Sequence, residues 1–284
     1  MRHIRHPGPI APERVAAVMG SGVPLRFVLE PGRTVDEAVA GGMKAAGCIG
    51  GFVAFKGGTC EPFRYVMPAG STDPLHAAWY SETYEPAGPV DVTRACAIVG
   101  IRDGKPFLHC HGVWRTADGL KAGHMLAPQT IVAEPIEVTG IGFADATFEA
   151  MPDAETNFTL FEPVHKALGD GGAAHPRMLL AKVRPNEDID FAIEEICRRH
   201  GFAAANVYGI GSLNEVRFTD GRAIDSYATE VLIRSGRVSR IGGELRSRLE
   251  IDVVDMDGAI HSGELVRGDN PVCVTFELVI EAAD

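Results

Sequence analysis

This chain resembles itself, and that constrains its fold more than any other feature of the sequence. Phe27–Ala38, FVLEPGRTVDEA, matches Leu180–Ala192, LAKVRPNEDIDFA, so that Pro31 falls on Pro185 and Asp36 on Asp190 at an offset of 154. In both places a short apolar strand signal runs into a proline followed by polar and acidic residues, the pattern that opens a helix. The same offset carries Gly47 onto Gly201 and VAFKGG (53–58) onto VYGIGS (207–212). Each copy therefore reads strand, helix, glycine stop, apolar strand. A self-match of this kind means that one plan is used twice, and it sets the domain count before any other reading.

The helix is clearest in the second copy. Ile189, Ile193, Ile196 and Cys197 recur at helical spacing, Arg198, Arg199 and His200 favour the carboxyl end of the helix dipole, and Gly201 ends it. Further along, Leu108-His109-Cys110-His111 aligns with Leu249-Glu250-Ile251-Asp252, and Gly123-His124 with Gly263-Glu264, at offsets of 141 and 140. The second copy is thus shorter in its middle. The later part of each copy holds β-branched or alternating runs, ACAIVGI, LEIDVVDM and CVTFELVIEA, that predict antiparallel strands joined by tight turns. HKALGDGGAAHPR (165–177) is rich in Gly and Ala and reads as a linker. A boundary near Asp170 gives domains over 1–170 and 171–284.

With 284 residues, 45% of them hydrophobic, the chain has material for two compact cores. No stretch approaches the eighteen or so apolar residues of a membrane span. The opening MRHIRHPGPIAPERV has charges and prolines where a secretory signal has its apolar core, so a cytoplasmic location is expected. The six cysteines form no CxxC pair, which argues against a zinc ribbon or a redox motif and for free, buried thiols. A net charge of −11 disfavours broad binding to nucleic acid, since that affinity comes from Lys and Arg on phosphates. The best basic candidates, Arg198-Arg199-His200 and the stretch from Arg234 to Arg248, read as a helix end and a mixed-charge surface. No GxSxG, HExxH, P-loop or dinucleotide fingerprint is present, and GIGSLN is too short for the last of these.

FLHCHGVWRTADGLKAGHM (107–125) places three histidines around one apparent turn. In a strand, His109 and His111 point to one face and Cys110 to the other. A four-residue loop from Thr116 to Gly119 sets His111 opposite His124, and a two-residue Asp118-Gly119 loop sets Val113 there. In either register all three imidazoles share a face, whereas a one-residue slip separates them. Three converging imidazoles suit zinc or a similar borderline divalent ion, with a fourth position for water or a neighbouring subunit's side chain. A polar interface or solvated sheet face is the competing reading. At the aligned positions the second copy has Glu250, Asp252 and Glu264, with His261 nearby. These define a weaker second site for a harder cation such as Mg²⁺, Mn²⁺ or Ca²⁺, or else an ion-paired surface.

The combination of KPFLHCHGVW, a short turn and AGHML, preceded by the proline-led helix start and the glycine-ended apolar strand, resembles the PPC (plants and prokaryotes conserved) domain. Both copies look like it, although the second departs at all three histidine positions. The resemblance implies an α+β fold of two tandem PPC-like domains, each a mainly antiparallel β-sheet with a packed α-helix. It also implies self-assembly as a homo-oligomer, trimers being favoured, and metal binding through His109, His111 and His124. The AT-hook that plant members add is absent here.

Three functions follow as expectations. The first is a metal-binding oligomeric protein holding zinc or a similar divalent ion, with its specific role open. The second is a metal-dependent hydrolase-type enzyme acting on a small molecule, with Glu134, Glu149, Asp153 or Glu155 as general base toward an ion-activated water. The third is a DNA-associated regulator. A small-molecule ligand suits the first two, while DNA and membranes are not expected partners.

Overall fold

The computed structural model describes residues 2–166 and 177–283. The expected boundary at Asp170, with most of the linker around it, lies outside the described residues. In chain order the principal elements are β1 (Val15–Gly20), β2 (Gly22–Leu29), α1 (Val35–Ala45), β3 (Gly50–Lys56), β4 (Val90–Arg102), β5 (Lys105–Thr116) and β6 (Gly119–Met125). There follow β7 (Ile136–Phe143), β8 (Ala146–Pro152), β9 (Thr159–His165), β10 (Met178–Val183), α2 (Ile189–Arg199) and β11 (Ala205–Leu213). The last four are β12 (Glu230–Ile241), β13 (Glu244–Val254), β14 (Ile260–Glu264) and β15 (Val272–Ala282).

Two large antiparallel sheets organise these strands. The N-terminal sheet runs β2-β7-β3-β4-β5-β6 and the C-terminal sheet β10-β15-β11-β12-β13-β14, so each half has the same strand order. The two helices are both 11 residues long and begin at Val35 and Ile189, the offset of 154 seen in the sequence. Each is led in by a left-handed residue after the proline, Gly32 (φ 88°) or Asn186 (φ 66°), and each is followed by a left-handed glycine, Gly47 (φ 70°) or Gly201 (φ 72°). These glycines end the helix without the steric cost a side chain would bring there. Asp188 caps α2 by accepting a hydrogen bond from the Phe191 amide at 3.1 Å.

The periodic apolar positions dictate a helix–sheet–sheet–helix stack. Ile189, Ile193, Ile196 and Cys197 bury one face of α2 against the C-terminal sheet, and Val35, Val39 and Met43 bury α1 against the N-terminal one. The other faces of the sheets meet each other, with Ile98, Phe143 and Phe148 packing with Leu180, Ile210, Leu232 and Val279. All six cysteines are free and buried, as expected. No helix among the described residues is long and apolar enough to cross a membrane.

A boundary at 170 does not divide the sheets cleanly. Strand β1 pairs with β10, from Val15 opposite Val183 to Gly20 opposite Met178, and so extends the C-terminal sheet. Preceding residues dock on the same half: the Ile4 amide donates to Asn186 Oδ1 at 2.8 Å and His6 Nε2 lies 2.8 Å from the Cys273 carbonyl. Covering the exposed ladder of β10 gives its backbone groups partners that solvent or another chain would otherwise supply. The β8–β9 hairpin stays with its own half and rests on the N-terminal sheet, with β8 parallel to β4 at Phe148 and Gly100.

Burial also leaves one acid strained electrostatically. Asp190 in α2 is 1% exposed; its Oδ1 accepts from Ser247 Oγ at 2.6 Å, and its Oδ2 has no partner. Desolvation, reinforced by Asp188 and Glu194 and opposed by Ser247, pushes its carboxyl up to about 7. The folded protein therefore holds this proton more tightly than the unfolded chain, and stability falls as pH rises from the ordinary carboxylate range through about 7. Asp190→Asn is expected to raise Tm by several degrees at pH 8 and to leave it nearly unchanged at pH 4. Thermal denaturation at the two pH values checks this, and equal Tm values for both proteins at pH 8 would refute it.

Candidate metal centre

The histidine hairpin is β5–β6. Its turn is Ala117-Asp118, with Thr116 opposite Gly119, and this gives the His111–His124 pairing expected of the longer loop. His109 and His111 point away from the α1 side, where Cys110 packs, and into the seam between the sheets. Ring centroids are 4.6 Å apart for His109–His111, 5.0 Å for His109–His124 and 5.4 Å for His111–His124.

The fourth member of the group comes from the other half of the chain. Glu230, the first residue of β12, pairs with His111 Nε2, and ligand atoms of His109, His111, His124 and Glu230 all lie within 4.8 Å of one another. Sequence spacing left this position to water or a neighbouring subunit; the structure sets Glu230 of the same chain beside the imidazoles. Glu277 on β15 bonds His109 Nδ1 and is 1% exposed. It fixes the ring as carboxylates do behind metal-bound imidazoles.

The hydrogen bonds assign the tautomers. His111 Nδ1 lies 2.9 Å from the Val231 carbonyl, which can only accept, so Nδ1 carries a proton and Nε2 is the ring atom turned to the cluster. Glu277 has the same effect on His109. Yet His109 Nε2 and His111 Nε2 are 2.9 Å apart, and the Glu230 carboxylate faces the same point. Such a group of two ring nitrogens and a carboxylate oxygen is stable only with a cation, either a proton or a metal ion, among them. The buried His124 Nδ1 has no hydrogen-bond partner, leaving another polar atom unsatisfied at the cluster. Burial works against charging His109, but Glu277 and Glu230 outweigh it and raise its pKa above the ordinary value. Burial, then His109 and His111, push His124 well below that value, so it remains a neutral, ligand-competent imidazole.

The aligned carboxylates of the second half do not form such a group. Glu250 stands opposite Glu264, and with Asp252 they share a sheet face, but each has its own cationic partner. Glu250 bonds Arg234 at 3.2 Å, Glu264 bonds Arg248 at 2.6 Å, and Asp252 takes Arg94 as well as the Ser262 hydroxyl at 2.5 Å. His261 bonds Asp255 instead, at 2.9 Å. Among the described residues the histidine site is the single convergent group of potential ligands. The physical reason is a reciprocal exchange. Arg94 stands opposite Val113, two residues beyond His111, and Glu230 opposite Val254, two residues beyond Asp252. Glu230 reaches across the seam to the histidines, while Arg94 reaches across to the acids and supplies the positive charge a metal would bring.

The expected general bases also lie elsewhere. Glu149 pairs with Lys166 at 2.7 Å, Glu155 with Arg14 at 2.6 Å and Asp153 with Lys182 and Arg184. Glu134 is exposed in the segment before β7. The acids at the histidines are Glu230 and Glu277, which no local motif marks. One signal was available: Thr93-Arg94 and Thr229-Glu230 begin comparable apolar runs and reverse charge where histidines change to acids.

Five of the arginines considered for nucleic acid are engaged with carboxylates as well, and Arg240 bonds the Gly243 carbonyl at 3.0 Å. Arg198 and Arg199 pair with Glu195, Arg234 with Glu250, Arg246 with Glu244, and Arg248 with Glu264. A cavity of about 540 Å³ opens onto the histidines, walled by Trp79, Tyr80, Phe107 and Phe158. That volume is in the range of small-molecule sites.

The fold and this site together define an antiparallel α+β protein with a candidate metal centre clasped between its sheets. Residues 172–284 match the Plants and Prokaryotes Conserved (PCC, also written PPC) domain. A solved plant- and prokaryote-conserved protein from Pyrococcus horikoshii is similar, with 15% identity over 54% of this chain and 97% of its own, at a TM-score of 0.39. A metal-containing protein from Archaeoglobus fulgidus is similar at 18% identity over 51% of this chain and 95% of its own, again with a TM-score of 0.39. Comparison with curated proteins gave no match.

Proposed function

We propose that the chain consists of two PPC domains, over residues 1–170 and 171–284 apart from the exchanged N-terminal strand, and that it binds one zinc-like divalent ion at His109, His111, His124 and Glu230. The strand order common to both halves supports the first part. The facing Nε2 atoms of His109 and His111, 2.9 Å apart with a carboxylate beside them, carry the second. Three imidazoles and one carboxylate suit zinc and other borderline divalent ions better than Mg²⁺ or Ca²⁺, which prefer all-oxygen shells. Glu277 and the Val231 carbonyl hold two of the imidazoles in the tautomer that offers Nε2.

A second reading, a metal-dependent enzyme acting on a small molecule, is favoured by the cavity that reaches the cluster. A bound ion there would supply Lewis acidity and lower the pKa of a coordinated water. In this reading the chain's own contribution is to orient the ligands and to wall the site with aromatic rings. Self-association, with a trimer expected from the family resemblance, would add copies of the site without altering its residues; mass in solution measures it.

Metal content by mass spectrometry, on protein purified without a polyhistidine tag, tests the proposal. About one transition ion per chain is expected in wild type, with loss in the double variant His109→Ala/His111→Ala. Absence of metal from wild type, with none taken up on titration, would contradict it.

A further inference from the structure

The cavity above the histidines has a charged far end. On the β4–β5 pair, Cys96, Ile98, Gly100 and Arg102 stand opposite His111, His109, Phe107 and Lys105, so Arg102 shares the histidine face. It lies four residues along β4 from the partner of His109, roughly 13 Å of strand. Its guanidinium sits over the Phe107 ring, 5.2 Å from the centroid, and Phe107 meets Phe161 edge to face at 5.8 Å. All three side chains line the cavity, and Trp79 stacked on Phe158 at 5.1 Å forms another wall.

The charges in this cavity are unequally matched. Its two lining acids, Glu230 and Glu277, are engaged with His111 and His109 at the floor. Arg102 is its one lining lysine or arginine among the described residues. The ion pair of Arg102 is with Asp103 at 3.9 Å, and that carboxylate is 92% exposed. A long pair in solvent contributes little. The cavity thus presents a guanidinium at the rim, aromatic rings along its length and the ligand cluster at its floor.

We infer that this cavity receives a small aromatic carboxylate, with the carboxylate on Arg102, the ring against Phe107 and its neighbours, and a polar group at the opposite end facing His109, His111, His124 and Glu230. The inference rests on the metal reading for that opposite end. Guanidinium and carboxylate match as a two-point donor and acceptor pair, and stacking on Phe107 holds the planar head in place with less freedom to lose.

The test uses zinc-loaded wild type and Arg102→Gln, with 4-carboxybenzohydroxamate and benzohydroxamate as calorimetric probes. Zinc uptake is measured first on both preparations and is expected to be equal, since Arg102 is half exposed and distant from the cluster. The hydroxamate anchors to the ion in both probes, so that only the carboxylate differs. In wild type the carboxylate is expected to strengthen binding at least ~10-fold. In Arg102→Gln that gain disappears, while benzohydroxamate binds both proteins alike. Zinc uptake without a carboxylate gain, or a gain equal in both proteins, overturns this inference and leaves the metal reading standing. Failure of wild type to take up zinc overturns both.

Discussion

His111→Ala is expected to reduce zinc affinity by about 100-fold or more, enough to leave the purified variant metal-free. Zinc sites built from four side chains bind with about 10–16 kcal/mol at neutral pH, so one ligand of four accounts for roughly 3 kcal/mol, or two decades in Kd. His111 is the ligand fixed most firmly, with Nδ1 on the Val231 carbonyl at 2.9 Å and Nε2 facing Glu230. Because it is buried, alanine also leaves a void that weakens the fold. Glu230→Gln separates the two effects, since it keeps the volume and removes the charge. It too should lose zinc affinity, while its metal-free form melts close to wild type. Glu277→Gln is expected to cost about 10–100-fold, the usual effect of a carboxylate behind a ligating imidazole. Competition titration against a chromophoric chelator gives all three values, and wild-type affinity in His111→Ala would remove this ligand from the account.

The second large effect concerns the β8–β9 hairpin. Lys182 on β10 is fully buried and pairs with Asp153 at 3.4 Å and Glu162 at 2.6 Å. Arg184 pairs with the same two acids, at 2.7 Å for Glu162. Two cations thus balance two carboxylates across the contact between the halves. Asp153→Ala leaves one charge uncompensated and is expected to cost about 3 kcal/mol, the scale for breaking a buried pair from one side. At roughly 2–4 °C per kcal/mol for chains of this size class, Tm falls by about 6–12 °C. Lys182→Met combined with Asp153→Leu keeps the balance through Arg184 and Glu162. That double variant should cost clearly less than the sum of its single substitutions. A strictly additive cycle would show that charge balance is not what holds the hairpin.

The same group shapes the acid response. Burial alone would raise the Asp153 carboxyl, but Lys182, the Thr156 amide and hydroxyl, and Arg184 outweigh it and hold it at about 2. A carboxyl depressed on folding contributes stability above its unfolded value, near 4, and that contribution is lost as pH falls toward about 2. The drop in wild-type stability over this window should be shallower in Asp153→Ala.

Features set by short-range periodicity could be read from the sequence. Pro31 and Pro185 mark the helix starts, Gly47 and Gly201 their ends, and the alternation in LHCH fixes which face holds His109 and His111. Contacts across the seam could not be read in this way. Glu230 lies 119 residues from His111 and Glu277 lies 168 from His109, and nothing local brings either to the hairpin. The docking of two apolar sheet faces does so, and many residues share that driving force. In FEAMPDAETNFTLFEP (148–163), Asp153, Glu155 and Glu162 clamp the hairpin to basic residues of β10 and to Arg14, pairings that the local composition does not specify. Strand β1 escaped assignment to the C-terminal sheet because VAAVMG carries no signal of which open edge it will cover.

X-ray absorption at the zinc edge, on stoichiometrically loaded wild type, addresses the metal centre most directly. The expected first shell holds about three imidazole nitrogens at ~2.0–2.1 Å and one carboxylate oxygen at ~2.0–2.2 Å, with the imidazole scattering reduced in His111→Ala. A shell of sulfur, or of water oxygens unchanged by that substitution, would place the ion elsewhere and contradict a centre built from His109, His111, His124 and Glu230.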